Sequence, residues 1–457
     1  MTFNDTICAL ATPIGGAIAV IRISGEQTFS IIDSIASKPL SQAATNTLHH
    51  CCITDGKETI DDVIVSIFRS PKSYTGEDAA EISCHGSSYI VKKILELLVL
   101  HGCRQATPGE YTQRAYLNGK LDLSQAEAVA DLIASTNRAT HQIALSQLRG
   151  GFSSELSLLR EQLLHLTSLL ELELDFSDHE DLEFADRTEL LTLTQTIDSR
   201  IQKLAKSFET GQALKQGIPV AIIGKTNVGK STLLNRLLKE DRAIVSDIHG
   251  TTRDTIEDTI DIQGITFRFI DTAGIRQTAD TVEQIGIQRT YQAIEKARII
   301  LWLVDEQPTQ TEIEDIQTRT EGKALLIIRT KSDLTPINNI LIPSFSHTLP
   351  STSIIPISAK TNHNIAALEQ AIYQAANIPN ISENDIIVTS ARHYEALTHA
   401  HTNLLRVLEG LTAQLSGDLI AEDLRLVLAD LAEITGEGRI TPQETLNNIF
   451  SHFCVGK

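Results

Sequence analysis

The chain has 457 residues, enough for two to four domains at about 100–200 residues each. Its 42% apolar and 21% charged content is ordinary for globular proteins, and a net charge of −19 is a poor footprint for a broadly basic nucleic-acid binder, though it leaves room for a local basic patch. Six cysteines (Cys8, Cys51, Cys52, Cys84, Cys103 and Cys454) form no C-x-x-C pair and no zinc spacing, so they read as free thiols in a reducing compartment.

The opening stretch MTFNDTICALATPIGGAIAV has no basic segment ahead of its apolar part, so no secretion signal is expected. No apolar run reaches the roughly 18 residues of a membrane span. Over residues 1–119, short strand-like runs (AIAVIRISG, DVIVSIFRS, AAEISCHG) mix with one clear helix, SYIVKKILELLVLHG. Turn formers such as PKSYTGED separate them, which predicts a compact α+β domain.

The texture changes near residue 120. Ser124-Gln125-Ala126-Glu127 has a capping-box pattern, and a long helical region to residue 215 is predicted behind it. Leu156, Leu159, Leu163, Leu166 and Leu170 recur at spacings of 3 and 4, the apolar stripe of a helix that needs a partner. The acidic run ELELDFSDHEDLEFAD (171–186) lacks the ligand order of a calcium loop and reads as a solvated helix end.

From 216 to 378, buried-type strands (PVAIIG, ITFRFID, RIILWLVD, ALLIIRT, SIIPIS) alternate with helices, the pattern of a parallel α/β sheet. Residues 379–457 return to helix, with a second stripe at Leu397, Leu404, Leu408, Leu411 and Leu415. The expected fold is therefore multidomain. An α+β N-terminal domain is followed by a helical bundle domain, and an α/β P-loop domain is inserted between the two helical halves.

The inserted segment carries the chemistry. GKTNVGKST (224–232) fits G-x-x-x-x-G-K-[ST] between a strand and a helix. Its backbone amides, from Asn227, Val228 and Gly229 through Thr232, can cradle phosphates. Lys230 can reach the terminal phosphate oxygens, and the Ser231 hydroxyl can ligate Mg²⁺. Companions follow in order. Gly250-Thr251-Thr252-Arg253-Asp254 lies where a mobile switch threonine belongs, with Thr252 as the second Mg²⁺ candidate. Asp271-Thr272-Ala273-Gly274 closes a strand beside the metal and the γ-phosphate. Thr330-Lys331-Ser332-Asp333 offers Asp333 to the two guanine N–H donors, and Ser358-Ala359-Lys360 can support the base. The last two motifs are weak singly; five in order predict a GTPase G domain. Thr330 stands where Asn is commoner, which predicts loss of a tie between the base loop and the P-loop, and modest nucleotide affinity.

Hydrolysis poses a problem. Ile275 and Arg276 follow Gly274, and an isoleucine cannot orient water by hydrogen bonding. Arg253 and Arg276 are candidates for a cationic finger. Glu283, read on its residue type alone, is a solvated carboxylate.

These stretches, with TICALATPIGGAIAVIRISG, YTGEDAAEISCHG, ATPGEYTQRAYLNGKLDLSQAEAVADLI and the terminal IFSHFCVGK, resemble the MnmE (TrmE) family of tRNA modification GTPases. The resemblance covers essentially the whole chain. It implies Glu283 as the hydrolytic carboxylate, acting through bridging water. It implies K⁺ held by Asn227, Ser246, Ile248 and Thr251, with Asp247, His249 and Gly250 completing that nucleotide-binding loop; such an ion can supply the charge of an arginine finger. It implies a tetrahydrofolate site at Arg22, Glu81, Lys120 and Lys457, with the carbon coming from 5,10-methylene-tetrahydrofolate. It also implies a cytoplasmic homodimer through the N-terminal domains. That dimer works on tRNA with an FAD-dependent partner of the MnmG (GidA) family, in a heterotetramer or larger complex. The product is an aminomethyl or carboxymethylaminomethyl group at carbon 5 of the wobble uridine.

The end of the chain, FCVGK, has the length of a prenylation box, but Gly at its third position, Lys at its last and no upstream polybasic stretch argue against lipidation. Thr441-Pro442-Gln443-Glu444 has a second capping-box pattern and predicts a helix projecting that tail. Cys454 then sits beside the one-carbon carrier, in a catalytic or a structural role. Two rival readings remain open. One is a ribosome-assembly GTPase without folate chemistry. The other is a folate-dependent aminomethyltransferase that acts without a flavoprotein.

Overall fold

The computed structural model describes residues 5–175, 187–241, 258–270, 283–334, 354–379, 385–436, 443–451, 453 and 455–456. The chain divides into two compact units. The first comprises Met1–Ala134, Ala144–Gln202 and Glu395–Lys457; the second comprises Ser135–Ile143 and Lys203–Tyr394.

The first unit opens with β1 (Thr6–Leu10), β2 (Ile18–Ser24), α1 (Thr28–Ile35), β3 (Thr47–Thr54), β4 (Thr59–Phe68), β5 (Ala79–His85), α2 (Ser88–Leu100) and β6 (Cys103–Gln105). The strands form one sheet in the order β3-β4-β5-β2-β1-β6. All pairs are antiparallel except β1 with β6. Alternation decides the faces. Cys51, Ile53, Val63, Val65, Ile67, Ala80, Ile82, Ile21 and Ile23 point to one side and share a core with Ile32 and Ile35 of α1 and Ile94 and Leu98 of α2. The opposite face carries Leu48, Ile64 and Ile18, which are 70%, 46% and 65% exposed.

α3 (Glu110–Leu117) and α4 (Leu123–Ala134) come next. The capping box at the start of α4 lies two residues earlier than the sequence pattern suggested. Asp122 Oδ1 accepts the Gln125 amide at 2.8 Å, and Gln125 Oε1 accepts the Asp122 amide at 2.9 Å. Asp122 precedes the first helical residue, whereas Ser124 is already inside the helix and bonds Asp122 Oδ1.

α5 (Arg138–Leu148), α6 (Gly151–Asp175) and α7 (Arg187–Gln216) follow. The leucine stripe of α6 is in the core: Leu156, Leu159, Leu163, Leu166 and Leu170 are all at most 2% exposed. Each such side chain contributes on the order of 2 kcal/mol through burial. Beyond Glu171, the acidic run is outside the residues whose side chains are described.

The second unit holds β7 (Ile218–Ile223), α8 (Lys230–Asp241), β8 (Asp258–Ile262), β9 (Ile265–Phe269), α9 (Glu283–Lys296), β10 (Ile299–Val304), α10 (Gln310–Arg319), β11 (Ala324–Arg329), β12 (Ile355–Pro356) and α11 (Ile365–Ala375). Sheet order is β12-β11-β10-β7-β9-β8. Every pair is parallel except β8 with β9, so the sheet is mixed at one edge, not wholly parallel. β10 is buried at all six positions because helices cover both faces of the sheet. Ile299, Leu301 and Leu303 point into one core and Ile300, Trp302 and Val304 into the other.

The chain then returns to helix with α12 (Ala391–Thr412), α13 (Gly417–Thr435) and α14 (Gln443–Ser451). In the first unit, α13 packs along α6. The stripe on α12 differs from the predicted one. Leu397, Ala400, Leu404, Val407 and Leu411 are buried, whereas Leu408 is only half-buried and Leu415 lies past the helix end at 44% exposure. Strict 3-4-3-4 spacing selects Val407 over Leu408, so a leucine count overreached by one turn. Among the described residues no helix is long and apolar enough to cross a membrane.

Candidate functional site

The P-loop stands between β7 and α8, and its backbone explains its residues. Gly224 has φ +146°, and a Cβ there would lie 2.5 Å from the Leu303 carbonyl oxygen of β10. Gly229 has φ +106°, a conformation L side chains rarely adopt. Between them Asn227 takes a left-handed conformation at φ +62°, which asparagine tolerates better than most residues. The loop ends where α8 begins, at Lys230. The amides of that first turn lack intrahelical acceptors, and the positive end of the helix dipole sits there. Lys230 Nζ donates to the carbonyls of Gly224 and Lys225 at 2.6 and 2.8 Å, which holds the ammonium across the loop. Burial lowers the pKa of this amine. A left-handed crest, a helix start and a half-buried ammonium make a donor set suited to a polyphosphate.

The base-recognition loops are fastened to the P-loop. Thr330 follows β11, and its hydroxyl donates to the Val228 carbonyl at 2.7 Å. This corrects the expectation that replacing Asn with Thr removes the tie: the shorter side chain keeps it through a hydroxyl. Lys331 has φ +57° and pairs with Asp305 at 2.7 Å. The Ser332 amide donates to the Ile357 carbonyl at 3.1 Å, linking this loop to the next. Asp333 is exposed. Ser358 is buried and forms paired backbone hydrogen bonds with His363. Arg236 of α8 donates to the Ala359 and Lys360 carbonyls at 3.0 and 3.3 Å. Val228, Thr330, Ser332, Ile357, Ala359 and Arg236 thus make one connected frame. Arg236 and the Lys225–Glu312 ion pair at 2.9 Å were not singled out in the sequence. Nothing in their local spacing marks them, because their partners are distant in the chain.

Other candidates fall outside the description. Ser246, Asp247, Ile248, His249, Gly250, Thr251, Thr252, Arg253, Asp271, Thr272, Ala273, Gly274 and Arg276 lie outside the described residues. Glu283 opens α9, and its side chain is likewise outside.

In the first unit, three of the folate-implied positions are described. Arg22 and Glu81 face each other across β2 and β5, with Arg22 Nε 2.7 Å from Glu81 Oε1. Arg22 Nη1 also donates to the Gly456 carbonyl at 3.1 Å. The tail is therefore seated on the sheet beside this pair. Gly456 has φ +94°, and a Cβ there would lie 2.5 Å from the Leu10 carbonyl oxygen. Phe450 and Phe453 anchor the seat against Leu123 and Ala126. Lys120 Nζ donates to the Pro71 carbonyl at 3.0 Å rather than to Glu81. Cys454, Lys457, Thr441 and Pro442 lie outside the described residues.

The sequence reading also missed a charged network nearby. Arg114 is fully buried and bonds Asp5 Oδ1 at 2.7 Å, Glu110 Oε1 at 2.9 Å and Glu77 Oε1 at 3.2 Å. Arg104 reaches Asp5 at 2.7 Å and also Glu110. The i,i+4 pair Glu110–Arg114 was the available signal. Burial alone would raise the pKa of Glu110. Hydrogen bonds from Arg104, the Thr107 amide and Arg114 outweigh it and hold the carboxyl below its ordinary 4.5. Asp5 is likewise held below 3.8: burial pushes it up, and Arg104 and Arg114 pull it further down.

Comparison with known proteins places this architecture. The family model of the GTP-binding protein TrmE N-terminus matches residues 6–120, and that of the MnmE helical domain matches residues 123–454. The chain belongs to the MnmE family of tRNA modification GTPases. The tRNA modification GTPase MnmE of Phocaeicola vulgatus is 53% identical, with 100% of both chains covered. That of Parabacteroides distasonis is 55% identical over 99% of this chain and 100% of its own. That of Christiangramia forsetii is 50% identical over 100% of both. The P-loop and base loops above are accordingly the G domain of an MnmE-family GTPase that acts in tRNA modification.

Proposed function

We propose that this chain is a K⁺-stimulated GTPase that works with an FAD-dependent partner of the MnmG (GidA) family. Together they install an aminomethyl or carboxymethylaminomethyl group at carbon 5 of the wobble uridine of tRNA, using 5,10-methylene-tetrahydrofolate. The observation that carries the GTPase half is the connected frame of P-loop and base loops. Within it, Lys230 and the amides from Asn227 to Thr232 bind the phosphates of GTP. Thr330 and Ser358 hold the base loop, and Asp333 accepts the guanine N–H donors. Ser231 and Thr252 are the Mg²⁺ ligands in this reading, while Asn227, Ser246, Ile248 and Thr251 hold K⁺. Held by these residues, the two ions would supply positive charge against the charge that builds on the phosphates. Glu283 orients water.

Support for the folate half is the seat of the tail. Glu81 can accept from pterin N–H groups, and Arg22 and Lys120 suit an anionic glutamate tail. In this reading Lys457 and Cys454, neighbours of Gly456 in the sequence, act at the same seat. The reduced folate supplies the one-carbon unit. The exposed apolar sheet face bearing Leu48, Ile64 and Ile18 suits a homodimer between N-terminal domains.

The test is GTP turnover in KCl against NaCl at equal ionic strength. Turnover several-fold faster in KCl, and lost in Asn227→Ala, supports the K⁺ site. Equal rates in the two salts would remove it and return the charge-supplying role to Arg253, Arg276 or a partner's arginine.

A further inference from the structure

We propose that the amino-terminal turn of α5 is a clasp that positions the β8–β9 hairpin for GTP hydrolysis, with Asn137 as its positioning residue. The proposal rests on the GTPase reading above. By sequence texture, residues 135–143 belong with the helical region, yet they pack in the second unit. Ala139 and Ile143 share a core with Ile260, Ile262 and Ile265 of the hairpin. The α5 helix thus begins in one unit and ends in the other.

The hairpin turns through two residues, Gln263 and Gly264, at φ +54° and +83°. Both signs are positive, as a tight type I′ turn requires. The Gly264 amide is capped by Asp261 Oδ1 at 2.8 Å. Three contacts then fasten this turn to α5. The Ala139 amide donates to the Gly264 carbonyl at 3.1 Å. A Cβ on Gly264 would lie 2.9 Å from Arg138 Cβ, so the helix meets bare backbone there. Asn137 is 9% exposed and uses both ends of its amide. Its Oδ1 accepts the Thr140 amide at 2.8 Å as the helix cap, while its Nδ2 donates to Thr266 Oγ1 at 2.8 Å. An aspartate could cap but could only accept from the Thr266 hydroxyl, reversing the bond; a serine could cap but is too short to reach.

Position along the chain gives the clasp its consequence. β8 starts four residues after Asp254, the end of the Gly250–Asp254 motif, and β9 ends two residues before Asp271. β9 also pairs in parallel with β7, the strand that delivers the P-loop. A stiff two-stranded element therefore joins both switch motifs, and its far turn is pinned by α5. Loosening the pin lets the hairpin shift along β7 and misplaces groups needed for hydrolysis without removing any nucleotide contact.

Thr266→Val keeps the shape and loses the hydroxyl, Thr266→Ser restores it, and Asn137→Ser keeps the cap but not the reach. Full-length variants are assayed for GTP turnover in KCl and for binding of a fluorescent GDP analogue. Thr266→Val and Asn137→Ser are expected to lose about fivefold in kcat, the equivalent of one neutral hydrogen bond, with the Kd for GDP within about twofold of wild type. Thr266→Ser should return to the wild-type kcat. An unchanged kcat in Thr266→Val would overturn the proposal. So would a parallel loss of kcat and GDP affinity, because that marks a loosened fold. Failure of the wild-type chain to bind GDP would instead sink the GTPase reading. The clasp is then judged by amide hydrogen exchange over residues 135–148 without nucleotide. Faster exchange in Thr266→Val supports it; identical exchange refutes it.

Discussion

At the scale of single residues, the hydroxyl of Thr330 shows how a departure from a common motif can conserve a contact. Its bond to the Val228 carbonyl is buried, so losing the donor leaves an acceptor without its partner. Such a loss costs about 1–3 kcal/mol, or roughly five- to 160-fold in an equilibrium constant. Part of that cost falls on the free protein, so the lower end is the expectation for affinity. Thr330→Val should raise the Kd for GDP about fivefold, while Thr330→Ser should leave it within about twofold of wild type. Titration with a fluorescent GDP analogue reads both; equal affinity in Thr330→Val would mean that the base loop needs no tether. Gly456 makes a comparable case at the other site. With φ +94° and the Leu10 carbonyl oxygen 2.5 Å from a would-be Cβ, Gly456→Ala cannot keep the tail where Arg22 holds it. Tetrahydrofolate binding, followed by calorimetry, should weaken at least about tenfold, with GTP turnover unchanged. Unaltered folate affinity would separate the tail seat from the ligand.

At the scale of elements, caps and stripes set local stability. Asp122→Ala removes the acceptor of the α4 cap and should cost about 1 kcal/mol in urea unfolding. Ser124→Ala leaves that bond intact and should cost less, the reverse of what the S-x-x-E pattern suggests. These two helix positions show where the sequence was readable. Wholly apolar runs such as IILWLV and ALLIIR stand out because strands buried on both faces need no polar alternation. The α6 stripe stands out because five leucines keep helical spacing. β8, with the sequence DTIDI, was invisible as an element: it is an edge strand with one solvated face and two aspartates. β3 was missed for a similar reason, since TLHHCCIT buries only alternate residues. The P-loop and base loops were legible because each is carried by a motif, whereas Arg22 and Glu81, 59 residues apart, were singled out only through the family resemblance. Arg236, the buried Arg114 network and the α5 clasp were not, because their partners lie as far as 129 residues away in the chain, as Asn137 does from Thr266.

On the scale of the whole molecule, two units with separate cores should respond to different conditions. The first unit holds its carboxylates below their ordinary values through the network of Asp5, Glu110, Arg104 and Arg114. A depressed folded pKa means that the unfolded chain binds the proton more tightly. The network's contribution is therefore complete above the ordinary Glu value of 4.5 and is lost as pH falls through the lower folded values. Lowering the pH from 7 to 5 should leave the thermal transition of the first unit in place, and lowering it further should bring it down. Nucleotide acts elsewhere. GDP at a hundredfold above its Kd adds about 2.7 kcal/mol to the unit that binds it and nothing directly to the other. Calorimetric scans of the full chain should thus show two transitions. GDP should raise only one of them, Lys230→Ala should abolish that rise, and acid below about pH 4.5 should lower the other. A single transition that moves as a whole with GDP would overturn the expectation that the two units melt separately.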